Sequence, residues 1–106
     1  MTREVAYTFC GSEERRSSDV SEMRRVVEQL TTPKATLITN PDGCEGYLDF
    51  QVLDDGRIEM EIMERDDDFA TIDVTTAARV VEIAMTDTRT LPLRQKLSGL
   101  PIVWLT

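Results

Sequence analysis

Four carboxylates, Asp49, Glu59, Glu61 and Asp73, have the residue type and spacing to do chemistry in this 106-residue chain. Carboxylates held close together can run general acid–base or glycosidase-type reactions. They can also ligate a divalent cation, or receive a cationic partner. The first use finds little support. The chain has no histidine, which removes the commonest base near neutral pH, every Ser–His or Cys–His nucleophile pair and most catalytic zinc sites. There is no glycine-rich phosphate loop and no dinucleotide fingerprint. For the second use, Asp54-Asp55-Gly56 and Asp66-Asp67-Asp68 supply oxygen ligands, but neither follows the spaced acidic loop that wraps calcium, and Asp favours turns for its own reasons. The expectation is therefore a chain with no catalytic residue, no metal and no cofactor, which is not an enzyme.

The third use follows from the elements that carry these acids. Residues 47–74 read as three antiparallel strands, GYLDFQVL, RIEMEIME and FATIDV, joined by the two acidic turns. Leu48, Phe50 and Val52 alternate with polar residues, as do Ile58, Met60 and Ile62. Period two of this kind marks a sheet with one face in a core and one in water. A turn centred on Asp55 pairs Val52 with Ile58, Phe50 with Met60 and Leu48 with Ile62, and a one-residue slip would expose all of them. That register sets Asp49 opposite Glu61. A second turn centred on Asp67 would set Glu61 opposite Asp73 and Ile62 opposite Ile72, giving a row of three acids with Glu59 and Gln51 beside it. Like charges directly opposed on a sheet are destabilising, and a face needing only solubility would mix signs. Tyr47 and Met63 fall on the same outward face and supply an aromatic and a soft apolar contact beside the acids. The plainer reading is that an exposed sheet face must be polar and Asp and Glu are polar.

Composition agrees with one domain spanning residues 1–106, long enough for a core without staples. It is 41% hydrophobic and 30% charged, ordinary for a globular chain. The net charge of −8 is concentrated: residues 42–73 hold 12 acids and only Arg57 and Arg65, which makes that segment −10 and the remainder +2. Such a field repels nucleic-acid phosphate and anionic lipid and attracts basic protein. No membrane partner and no direct nucleic-acid contact is expected. With no apolar run of spanning length and no signal-like amino end, the expected location is the cytoplasm. Cys10 and Cys44 lack metal or redox spacing and read as free thiols.

The rest of the chain supplies the support. Residues 4–10 read as a strand and GSEERRSS as a polar loop whose Arg15 and Arg16 counterweigh the acidic sheet. Asp19 caps a helix to about Leu30, with Glu22 as its capping-box partner and Val20, Met23, Val27 and Leu30 as its buried stripe. Residues 35–39 form a short strand, and Asn40-Pro41-Asp42-Gly43 a turn. Thr75 or Thr76 caps a second helix to about Met85. Pro92 to Leu97 makes one or two helical turns, and LPIVWL is a terminal strand or buried tail, with Trp104 in the core. The fold class is α+β: a mostly antiparallel sheet of five to six strands with two helices packed on one face.

The second half of the chain resembles the immunity proteins of bacterial polymorphic-toxin systems. The likeness lies in DGCEGYLDF, the charged hairpin after it, the step TIDVTTAARVVEIAM into a helix, and the ending PIVW. It implies a non-catalytic protein that neutralises a toxin by covering its active site. Charge and resemblance together predict a binding protein that blocks a basic surface on a nuclease-type toxin or, for a phage inhibitor, a nucleic-acid-targeting defence complex. Its contact residues would be Tyr47, Asp49, Glu59, Glu61, Met63 and Asp73, and it would be monomeric alone. The alternative is a structural or self-assembling module that pairs through the sheet and the apolar tail.

Overall fold

The computed structural model describes residues 2–41, 47–64 and 66–105. Its strands are β1 (Val5–Phe9), β2 (Arg15–Ser17), β3 (Thr36–Pro41), β4 (Tyr47–Val52), β5 (Ile58–Met63) and β6 (Asp67–Ile72). Its helices are α1 (Val20–Glu28), α2 (Val74–Thr86) and the single turn α3 (Leu93–Lys96). The strands form one antiparallel sheet in the order β2-β1-β3-β4-β5-β6. The chain is therefore an α+β protein, as the alternation and helical stripes predict.

One face of the sheet and the helices enclose the core. Leu37, Leu48, Phe50, Ile58, Met60 and Ile62 from the strands meet Met23 and Val27 of α1 and Val80, Ala84 and Met85 of α2, all essentially without solvent contact. Burying a Leu, Ile, Phe or Met side chain contributes about 1.5–3 kcal/mol, so this single apolar layer fixes which face of the sheet turns inward. Thr39 is buried among it, and its hydroxyl donates to the Leu48 carbonyl at 3.0 Å.

The segment expected as a polar loop is partly strand. Arg15 to Ser17 pair with β1 and form the sheet's edge. An edge strand needs only backbone pairing, and short, charged edges resist further strand addition. Arg16 is tied to Glu4 at 2.7 Å. The turn that leads there uses left-handed backbone at Cys10 (φ 50°) and Gly11 (φ 73°). Asp19 caps α1 as expected, accepting from the Ser21 and Glu22 N–H groups. Glu22 accepts from the Tyr7 hydroxyl at 3.5 Å, and the Asp19 N–H donates to Ser17 Oγ instead. Asn40 and Pro41 prolong β3. The remainder of the turn expected there, and Cys44, lie outside the described residues.

Candidate functional site

The β4–β5 hairpin forms in the register its alternation predicts. Val52 faces Ile58, Phe50 faces Met60, Leu48 faces Ile62, Asp49 faces Glu61 and Tyr47 faces Met63. Gly56 adopts φ 87°, which suits the left-handed last position of a three-residue loop. Asp55 locks that loop by accepting from the Arg57 N–H and guanidinium. These two bonds hold its carboxyl below the usual range.

The β5–β6 register differs from expectation. β6 begins at Asp67 and not after it, so Glu61 faces Phe69, Ile62 faces Asp68 and Ile58 faces Ile72. The shift from the predicted pairing is four residues. Because four is even, every β6 residue keeps its face while its opposite number changes. Asp67 and Asp68, read as turn residues, open the strand. Asp73 leaves the acid row and becomes the N-cap of α2, its Oδ1 accepting from the Thr76 N–H at 2.7 Å. Bonds from the Thr76 N–H and hydroxyl hold its carboxyl below the usual value. The physical reason is tertiary. In this register Asp68 reaches Arg94 at 2.6 Å and Glu64 accepts the Leu93 N–H at 2.8 Å, while Asp73 caps a 13-residue helix.

Tyr47, Asp49, Glu59, Glu61 and Met63 therefore lie together on the outward face, and Asp73 is outside their paired rows, engaged as the α2 cap. Two cross-strand rows organise that face. The central one runs Ile38, Asp49, Glu61, Phe69, and the next runs Thr36, Gln51, Glu59, Thr71. Asp67 stands diagonally from Glu61 on β6. Partial burial raises the Glu61 carboxyl first, and a hydrogen bond with Asp67 and the charges of Asp67, Asp49 and Glu59 raise it further. Partial burial likewise raises Asp49, against a smaller lowering by the Phe50 backbone. Among the described residues, none of the ion pairs involves Asp49, Glu59 or Glu61. No described group of three or more acidic or thiol side chains converges as metal ligands would. The recess between Asp49, Glu59 and Glu61 holds about 120 Å³, below the several hundred Å³ of a typical small-molecule pocket.

The outward face also carries apolar groups. Five large hydrophobic side chains are exposed among the described residues: Ile38, Tyr47, Leu91, Val103 and Leu105. Ile38 (42%) and Tyr47 (50%) stand directly on it. The tail joins β6 through an antiparallel bridge of Trp104 to Ala70 and a bond from the Leu105 N–H to the Phe69 carbonyl. Ala70 and Trp104 turn to the core side, so the alternation carries Val103 and Leu105 to the outward side. Sequence reasoning missed Ile38, Asp67 and Phe69. Ile38 has a signal, since it alternates with Leu37 and Thr39, whereas the other two depend on the β6 register.

A second concavity, about 990 Å³ and open, lies where α3 meets the end of β6. Arg94 sits 4.6 Å over the Trp104 ring while pairing with Asp68. Lys96, almost fully buried, donates to the Asp87 carbonyl at 2.9 Å, and Arg89 pairs with Asp87 at 2.6 Å. The Arg89 guanidinium lowers the Asp87 carboxyl to about 2. These cations are engaged in holding α3 and the α2 exit together.

No helix among the described residues is long and apolar enough to cross a membrane. Comparison with family models, with curated proteins and with solved structures finds no match to the chain.

Proposed function

We propose that the chain is a non-enzymatic binding protein whose outward sheet face occupies a cationic surface on a protein partner. A toxin that handles nucleic acid, or a nucleic-acid-targeting defence complex, has such a surface, because it must hold phosphate. This makes the chain an immunity-type or anti-defence inhibitor. One observation carries the reading: Asp49 and Glu61 face each other across adjacent strands, both with raised carboxyl pKa values and neither in an ion pair among the described residues. Opposed like charges destabilise a sheet by a few tenths of a kcal/mol to ~1 kcal/mol, and a docked cation converts that repulsion into attraction. Tyr47 and Met63 supply apolar contact beside the acids, and Glu59 adds steering charge.

The test is comparative capture. The immobilised chain and its D49K/E61K variant are offered the same lysate at several salt concentrations. A protein held by the first, lost by the second and associating more slowly as salt rises supports the reading. Equal capture by both removes it.

A second reading has its own observation. Val103 and Leu105 are exposed beside the β6 edge, and an apolar tail there suits pairing with another copy. Sedimentation at two concentrations separates the readings, since the inhibitor is monomeric alone and the assembling module is not.

A further inference from the structure

The outward face carries a pattern as well as a charge. Its central row crosses the strands in the order Ile38, Asp49, Glu61, Phe69, with Leu105 beyond, so that two acids stand between apolar groups. Adjacent strands are ~4.8 Å apart, which makes the row from Ile38 to Phe69 ~14 Å long. An extended segment laid along it presents same-side residues only every ~6.7 Å, giving three positions for four residues. An α-helix advances 5.4 Å per turn, so one residue per turn keeps step with one strand per row position, over ~16 Å in eleven residues.

On the strength of the cationic-partner reading, we propose that the element of the partner received here is a basic amphipathic helix lying across the strands. Its stripe is apolar, basic, basic, apolar at positions i, i+4, i+7 and i+11. The two basic residues, Arg or Lys, stand over Asp49 and Glu61, and the apolar ones meet Ile38 on one side and Phe69 with Leu105 on the other. The alternating four-, three- and four-residue spacing keeps all four on one helical face. Val103 and Tyr47, in flanking positions, contact the helix's shoulders. This is helix recognition by side-chain anchors, with specificity set by where the charges fall.

Two designed 16-residue helical peptides of identical composition test it by fluorescence anisotropy. One carries Leu, Arg, Lys and Leu on the stripe, and the other has the two basic residues moved to the opposite helical face. The striped peptide is expected to bind at least ~10-fold more tightly, and that preference is expected to vanish in D49K/E61K. Asp49→Asn/Glu61→Gln, which removes charge without adding any, guards against a folding artefact and should lose the preference too. Equal binding of the two peptides, weakened equally by the variants, overturns the helix while leaving a cationic partner in place. Binding insensitive to both variants overturns the helix and the partner reading together. If neither peptide binds at millimolar concentration the helix is overturned, and the capture comparison decides the broader reading.

Discussion

The two acidic regions of this molecule treat their charge in opposite ways. Around α3 and the ends of β6 and α2, acids are matched: Asp68 with Arg94, Glu64 with the Leu93 N–H and Asp87 with Arg89. At the centre of the outward face, Asp49 and Glu61 are set against each other with Glu59 and Asp67 close by. The pKa values follow the same division, with Asp87 pulled down to about 2 and Glu61 pushed up from its ordinary 4.5. A chain that neutralises acids at its margin has the means to do so on its face. Repulsion retained at one place and removed at another points to a use for it there, as at binding sites that trade stability for function.

The comparison can be broken or sharpened by experiment. The largest effect should come from D49K/E61K, which should weaken partner binding by ~100-fold or more, while circular dichroism shows an unchanged fold. At the matched margin, the effect should be on stability. Trp104→Ala removes the platform under Arg94 and the side chain that docks the tail. Urea denaturation should show a loss of about 2 kcal/mol, less than for a fully buried Trp because this one is half-buried. Asp73→Ala should cost about 1 kcal/mol through the lost α2 cap and should leave partner binding unchanged. A drop in binding for that variant would return Asp73 to the docking surface. Glu61→Gln should have the reverse sign, gaining about 0.5 kcal/mol while weakening binding.

The smallest effect should be in the pH profile. Asp49 and Glu61 have raised carboxyls, so the folded state takes up their protons before the unfolded state does. Stability therefore rises as pH falls from neutral toward the ordinary carboxylate values of 3.8 and 4.5. Asp55, Asp73 and Asp87 are held low, and their contribution is lost as pH drops below 3.8, in the case of Asp87 toward about 2. Asp49→Asn/Glu61→Gln should flatten the first limb and leave the second.

Most of the scaffold could be read from the residues. Alternation in β4 and β5 and the Asp54-Asp55-Gly56 loop determine their mutual register, because one face must be buried. Asp19 ahead of an amphipathic stripe marks α1. The β6 register was not legible, for a specific reason. Three consecutive aspartates look like a turn, since Asp is a poor strand former, and the place of Asp68 within the strand is supported by Arg94, which is remote in sequence. The same limitation hides the capping role of Asp73 and the outward positions of Phe69, opposite Glu61, and of Asp67, diagonal to it. The short edge strand β2 carries almost no apolar signal and is defined by backbone pairing alone. Ile38 gives no charge signal, and a single apolar residue facing water is ordinary on a protein surface.

The Ala70–Trp104 bridge bears on how the molecule is best handled. It delivers Leu105 to the side of the sheet where Asp49 and Glu61 stand, while the Arg3 N–H bonds the Met85 carbonyl at 2.8 Å on the helical side. An affinity tag or fluorophore fused behind Leu105 would shadow the acids, and one placed ahead of Arg3 would leave them open. Immobilisation through the amino side therefore presents the surface that has to be read.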